Sequence, residues 1–518
     1  MDESIRARVA DLTALGVELS DQGHLLEAEE LFVGLRELAP DDVQVNSRLG
    51  VLLATRGAYA QAIPLLQDAV AGHARDPLVL NVLSVCAFET ADYATALAHA
   101  DTAIARRRAF PEAYNSRGNA LTRLGRDAEA LEAFRKALAF DEADAVGHLN
   151  IANALRNLHR PAEALASLDR ALALDPSLAP AHANRGDVLQ DLDRHAEAIA
   201  GYDQAAALDP QSVNAHWNRA LCHLLMGDYA AGWREYEWRW RRPAEVCRPR
   251  GFATPLWLGQ EPLAGRSILL HGEQGLGDCL QFARYVTRVV ALGAIVTVEI
   301  YPTLVDLFRT IEGADVLPHG AALPVTDFQC PLMSLPLALG ETAPPADTGP
   351  YLRAPEGHRA AWADRALAGG APRIGVVCNG SATNPLRSLP FALLSRFLPP
   401  GPGYHLLQKD IAPGDLEALE ARPDVTVWRD DLASFGDTAA LAERMDLMLS
   451  IDTSVVHVAA ALGRPTWVLL PYDVDWRWGL RTETSPWYPA AKLYRQATRG
   501  DWTGVLERLR ADLFALGR

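Results

Sequence analysis

Gly118-Asn-Ala-Leu-Thr-Arg-Leu-Gly-Arg-Asp-Ala-Glu-Ala130 decides the fold of the first half of this chain, because its small residues return at a fixed interval. A small side chain stands at Gly16, Gly50, Ser84, Gly118, Ala152, Gly186 and Ala220, each 34 residues from the last. Twelve residues after each comes a second, at Ala28, Ala62, Ala96, Ala130, Ala164, Ala198 and Gly232. The register runs without an insertion from the N-terminus to about residue 246, which is the signature of a solenoid of seven units. Each unit has room for two helices, and the small residues fall where one helix must approach the other closely. Leu19, Leu53, Leu121, Leu155 and Leu189 supply apolar contact, Leu124 to Asp127 is a polar break, and Pro40, Pro176 and Pro210 close units where a ring ends a helix.

This pattern resembles the tetratricopeptide repeat over residues 9–246. Stacked helix pairs present a surface lined by the first helix of each unit, suited to an extended peptide or a partner helix. Asn115, Asn150, Asn184 and Asn218 lie on or beside one face of those helices, with Arg117, Arg185 and Arg219 nearby. They are either a ladder that bonds the backbone of a bound acceptor protein, or a solvated face with local capping bonds.

Composition narrows the rest. A length of 518 residues suggests roughly three domains. A formal charge of -16 argues against generic binding to nucleic acid or anionic membranes. No apolar run is long enough to span a membrane, and Asp2, Glu3, Arg6 and Arg8 do not make a secretion signal, so a cytoplasmic location is expected. Cys86, Cys222, Cys247, Cys279, Cys330 and Cys378 lack metal-type spacing, so reduced thiols and no metal site are expected. The aromatic and basic stretch Trp233–Arg242 puts Trp233, Tyr236 and Trp240 on one helical face, as a last repeat needs when it packs on a following domain. Four prolines between Pro243 and Pro262 mark a connector over 247–265.

From Arg266 strands and helices alternate. Strands are predicted at Ser267–His271, Ile295–Ile300, Arg373–Cys378, Tyr404–Gln408, Val425–Trp428 and Leu447–Ile451, with helices over 278–292, 391–397 and 502–513. Two tandem α/β halves, 266–355 and 372–500, followed by a closing helix in 501–518, predict parallel sheets with ligands at the carboxyl ends of their strands. Three loops sit there. In His271-Gly-Glu-Gln-Gly-Leu-Gly-Asp278, Gly272, Gly275 and Gly277 let a ligand approach, and Asp278 is either a general base or an ordinary helix cap. Asn379-Gly380-Ser381 opens a loop that runs to Arg387 and Ser388 and suits a phosphate. Its Arg387 either offsets charge on a departing nucleotide or is a surface arginine. In Ser450-Ile-Asp452-Thr453-Ser454-Val-Val-His457 a strand gives way to a helix whose first amides suit an anion, with His457 either a ligand group or a buried structural histidine. In an aromatic segment ending near Tyr488, Trp476 is a candidate to stack on a base and Arg477 or Arg481 to meet a sugar carboxylate or phosphate, while Trp478 and Trp487 read as packing.

Together the loops resemble a glycosyltransferase of the GT-B architecture, similar to the lipopolysaccharide heptosyltransferase-like family, over about residues 266–515. The resemblance implies an α-solenoid followed by two Rossmann-like halves, the first on the acceptor side and the second on the donor side. It implies Asp278 as base, Arg387 as a basic donor contact, and Asp452, Thr453 and His457 as the phosphate cradle, with Ser454 where that family has glycine. Gly275, Gly277, Asn379, Gly380, Ser381, Gln408 and Lys409 complete the expected donor site. The repeats combined with HGEQGLGD, LSIDTSVVH and DWRWGLRTETSPWYP resemble bacterial repeat-containing glycosyltransferases that include flagellin-modifying enzymes. What this implies is transfer of a nonulosonic acid such as pseudaminic acid, from its CMP form, to serine or threonine of flagellin or another acceptor protein. No metal or cofactor beyond the nucleotide sugar is implied. Two alternatives stand beside it, a transferase using another nucleotide sugar on a protein or saccharide acceptor, and an inactive repeat scaffold.

Overall fold

A computed structural model describes residues 3–72, 76–243, 249–345, 349–380 and 387–516. The chain divides into two compact units, residues 1–212 and 213–518. The N-terminal unit is a tetratricopeptide solenoid of paired helices from Glu3–Asp21 to His195–Leu208. Its small residues act in pairs with the side chain sixteen positions later. A methyl group added at Gly118 would stand 2.4 Å from the Phe134 ring, at Gly186 2.5 Å from the Tyr202 ring, and at Gly16 2.7 Å from Phe32. Where the opposing residue is Leu168 or Ala100, the small position is relaxed to Ala152 or Ser84. Ser84 then uses its hydroxyl, donating to Ala96 O at 2.7 Å. Helix starts are fixed by Asp42, Asp76, Asp92 and Asp144, whose carboxylates accept backbone N–H groups of the first turn.

The seventh helix pair, Val213–Met226 and Tyr229–Tyr236, belongs to the second unit and not to the solenoid's compact unit, a difference from the expected limit at 246. Its aromatic side chains explain why. Trp233 is buried with ring centroids 5.3 Å from Trp476, 5.8 Å from Phe282 and 6.3 Å from Trp487, edge to face. Arg239, fully buried, donates to Glu273 Oε1 at 2.8 Å and to Ser334 Oγ at 2.6 Å, which ties the same segment to the loop after the first strand.

The rest of the unit is α/β with two parallel sheets. The first holds β1 (Ser267–His271), β2 (Ile295–Ile300), β3 (Ala314–Pro318) and β4 (Phe328–Pro331) in the order β3-β2-β1-β4. The second holds β5 (Gly370–Val377), β6 (Pro402–Leu406), β7 (Val425–Val427), β8 (Leu447–Ile451), β9 (Thr466–Leu470) and β10 (Ala491–Arg495) in the order β10-β9-β8-β5-β6-β7. β3, β4, β9 and β10 were not among the strands expected from sequence. Every residue of β6 and β8 is buried, as strands covered on both faces require. Helix Thr503–Leu516 closes the second sheet, with Leu506, Leu509 and Leu513 in one core with Ile374 and Tyr494. The five described cysteines are buried and unpaired in disulfides. Cys247 lies outside the described residues. Among the described residues no helix is long and apolar enough to cross a membrane.

Candidate functional site

In each sheet the strand order reverses beside the first strand, between β1 and β4 and between β5 and β8, and crevices form outside strand ends at such points. β1 runs into Gly272–Gly277 and then helix Leu276–Phe282. β5 runs into Asn379 and Gly380. β8 runs into Asp452, Thr453 and helix Ser454–Ala461. These segments wall one cavity of about 1200 Å³. Gly275, Gly277 and Asp278 line it from the first half. From the second half come Asn379, Gly380, Arg387, Gln408, Lys409, Asp452, Thr453, Ser454 and His457, joined by Asp475 and Arg477.

The two halves touch at Gly277. A methyl group there would stand 2.9 Å from His457 Cδ2 and 3.4 Å from Nε2, so only glycine lets the helix tips meet this closely. Gln274 turns the loop with a φ of 56°, held by Tyr301, which donates to its carbonyl at 2.6 Å. Asp278 does both things a helix-start carboxylate can do: Oδ2 accepts from the N-cap amide Gly275 N at 2.8 Å, while Oδ1 is paired with Arg477 Nη2.

That pair is the first link of an alternating chain of charge. Arg477 Nη1 reaches Asp475 Oδ1 at 2.6 Å, Arg387 Nη2 reaches Asp475 Oδ2 at 3.6 Å, and Arg387 Nη1 reaches Asp452 Oδ2 at 3.2 Å. Three carboxylates therefore answer two guanidiniums. Burial pushes the Asp452 carboxyl up to about 6; Arg387 opposes this and the like charge of Asp475 adds to it. Asp475 goes the other way: burial opposes ionisation, but Arg477 and its backbone N–H, with Arg387, hold the carboxyl below the usual range. Arg477 is buried and Arg387 half-exposed, so Arg387 is the cation with a face toward the cavity.

His457 is buried, with Nδ1 2.8 Å from the Tyr488 hydroxyl and its ring stacked at 5.7 Å on Trp478. Burial, reinforced by Arg477, pushes its pKa down to about 3, so the ring is neutral at ordinary pH. Gln408 works as a brace, since its Oε1 accepts from Asn379 N at 2.9 Å and its amide donates to Asp410 O at 2.6 Å. Asn379 donates to Asp415 at 3.2 Å, and Gly380 N donates to Ser388 Oγ at 3.2 Å. Lys409 is exposed on the cavity wall. Ser381 lies outside the described residues.

Two expected members of the site stand elsewhere. Trp476 is packed among Trp233, Phe282 and Trp487 and so has no face for a base. Arg481 is exposed, in a turn with a φ of 43°, and is not in the cavity wall. Arg477, the other arginine expected to meet an anion, lines the cavity together with Asp475, which was not expected there. The alternation Asp-Trp-Arg-Trp was the available signal, since a short 3-10 turn over Trp476–Trp478 with buried rings must send the intervening charges somewhere paired.

In the repeats, Asn184 donates to Asn153 at 2.6 Å and Arg185 is paired with Asp169 at 2.8 Å. Arg117 makes the same contact to Asp101 at 2.7 Å, so these arginines staple one repeat to the preceding one and Arg185 is not held open for a bound chain. Asn115, with a buried Oδ1 that has no partner among the described residues, and Asn150 are half-buried in the solenoid. Asn218 is half-buried on helix Val213–Met226 of the second unit.

Tetratricopeptide repeat family models match residues 13–77, 111–144, 149–212 and 183–237. The protein FlbA of Caulobacter vibrioides is 27% identical over 327 residues, which is 57% of this chain and 54% of FlbA. The chain thus spans about half the length of this curated relative. Among solved structures, the tetratricopeptide repeat protein TTC0263 of Thermus thermophilus is 25% identical, covering 36% of this chain and 100% of that one, with a TM-score of 0.32. PilF of Pseudomonas aeruginosa is 18% identical, covering 42% and 99%, with a TM-score of 0.36. A repeat protein of Parabacteroides merdae is 17% identical, covering 47% and 94%, with a TM-score of 0.40.

Proposed function

We propose that the chain is a glycosyltransferase that moves a sugar from a nucleotide donor to a serine or threonine hydroxyl of an acceptor protein gripped by the repeats. The observation that carries this reading is the shared cavity, in which Asp278 of the first half faces the helix tip Thr453–Ser454 and Arg387 of the second. The donor phosphate enters at that tip, where the first amides of helix Ser454–Ala461 and the exposed side of Arg387 attract an anion. The acceptor oxygen attacks the anomeric carbon as the bond to the phosphate oxygen breaks. The hydroxyl proton passes to Asp278, and the negative charge left on the nucleotide is stabilised by Arg387. Arg477 pairs with Asp278 and holds it at the cavity wall. No metal is assigned a step. Following the resemblance set out above, flagellin is the acceptor and the CMP form of a nonulosonic acid the donor to be tried first, with the cytoplasm as the site of reaction.

Purified protein, CMP-pseudaminic acid and flagellin should give a mass increase on flagellin by intact-protein mass spectrometry. Asp278→Asn should cut the rate by about 10²-fold or more; an unchanged yield would remove Asp278 from the chemistry. A second reading, a repeat scaffold with a silent α/β half, is favoured by one feature, the complete mutual pairing of Asp278, Arg477, Asp475, Arg387 and Asp452. Calorimetry with CMP, ADP and UDP separates the two, since a scaffold gives no heat with any of them.

A further inference from the structure

Behind His457 runs a line of polar groups that the reaction scheme leaves unused. Tyr488 is buried and its hydroxyl lies 2.8 Å from His457 Nδ1. Its oxygen is 3.5 Å from the hydroxyl of Tyr351, and Tyr351 accepts from Arg284 Nη2 at 3.1 Å. Arg284 is itself buried, its other groups donating to Gln281 O and Trp487 O, both at 2.9 Å. A guanidinium can only donate. The Tyr351 oxygen is therefore an acceptor toward Arg284, and its own proton is available to Tyr488. The Tyr488 proton then goes to His457.

The last link has its own chemical direction. A phenol is a far stronger acid than a neutral imidazole N–H, and an imidazole nitrogen lone pair is a better base than a phenol oxygen, so O–H to N is the favoured bond between them. With Nδ1 accepting, the ring proton of a neutral His457 must sit on Nε2. That edge, Cδ2 and Nε2, is the one against Gly277 at the cavity wall. Trp478 is stacked on the ring, its centroid 5.7 Å from that of His457.

We infer that Arg284, Tyr351 and Tyr488 are positioning residues that fix His457 in its Nε2–H tautomer, so that the ring offers a neutral hydrogen-bond donor to a phosphate oxygen of the nucleotide. The identity of that ligand rests on the donor-site reading above; the tautomer does not. The device gives a site already carrying three carboxylates one more donor without adding a charge that would have to be buried. Because burial keeps the imidazole neutral far below ordinary pH, the donor persists across the physiological range.

Nitrogen-15 NMR of full-length protein labelled on histidine reads the tautomer directly, with the His457 signals assigned by their loss in His457→Gln. Wild type should show protonated Nε2 and bare Nδ1 from pH 6 to 8. Tyr488→Phe should give a mixture of tautomers and weaken binding of CMP or UDP, whichever wild type binds, by about tenfold. Tyr351→Phe, at a half-buried position, should move the tautomer ratio in the same direction by less. Protonated Nδ1 in wild type, or an unaltered tautomer in both tyrosine variants, overturns the inference. A wild-type protein with the stated tautomer but no heat with any nucleotide upholds the hydrogen-bond chain and sinks the donor-site reading.

Discussion

Gly277 and Asp278 are adjacent, yet one acts through the absence of a side chain and the other through two oxygens that each hold one partner and can accept another. Gly277→Ala forces a methyl group within 2.9 Å of His457 Cδ2, and the neighbour it would displace is a ring pinned by Tyr488 and Trp478. The expected cost is about 1–3 kcal/mol in urea unfolding, with a larger proportional loss of nucleotide affinity, because the same shift widens the cavity. Wild-type affinity in that variant would contradict the tight contact. His405 offers a separate check on the second sheet. It is fully buried, accepts from Trp428 Nε1 at 3.1 Å, and burial lowers its pKa to about 4. Since the unfolded chain takes up that proton near 6.5, neutral His405 contributes stability that is complete above that pH and lost as pH falls toward 4. Unfolding midpoints should fall less steeply over this window in His405→Gln than in wild type. The residue types of the site were legible in sequence for Asp278, Arg387, Asp452 and Ser454, because they follow strands whose apolar runs are unmistakable. Arg477 was legible only as one of two arginines that could meet an anion, and Asp475 was not read, because its place is set by pairing with Arg477 and Arg387.

At the scale of an element, small residues set the close approach within helix pairs, with glycine facing Phe32, Leu66, Phe134 and Tyr202. Glycine at 118 faces Phe134, whereas alanine at 152 faces Leu168. Gly118→Ala alone should destabilise by about 1–3 kcal/mol through overpacking. Combined with Phe134→Leu, which copies the Ala152 and Leu168 pairing, the loss should be smaller than the sum of the single effects, with a coupling of about 1 kcal/mol read from thermal midpoints in a double-mutant cycle. Strict additivity would mean the two positions do not share one space. The period of 34 made these contacts readable, since each repeat reports on its neighbours. Strands β3, β4, β9 and β10 were not read from sequence, and their place is set by pairing with β2, β1, β8 and β9.

Across the whole molecule, the division at residue 212 shows how an aromatic cluster outweighs a sequence register. The last helix pair keeps the repeat spacing but buries Trp233, Tyr236 and Arg239 in the α/β unit, where large edge-to-face contacts and a buried ion pair bind it. Removing residues 1–212 therefore leaves the α/β unit whole, while removing residues 1–246 takes away part of its core. Expression of residues 213–518 should give a cooperatively unfolding product, and residues 247–518 an aggregating one.

Sequence by itself determined the solenoid, the two α/β halves and the three loops, because repeat period and strand–helix alternation are one-dimensional properties of a chain. Only the tertiary structure decided which charges meet. Asp278 and Arg477 are 199 positions apart, and their pairing depends on two sheets bringing strand ends together, a distance no local pattern encodes.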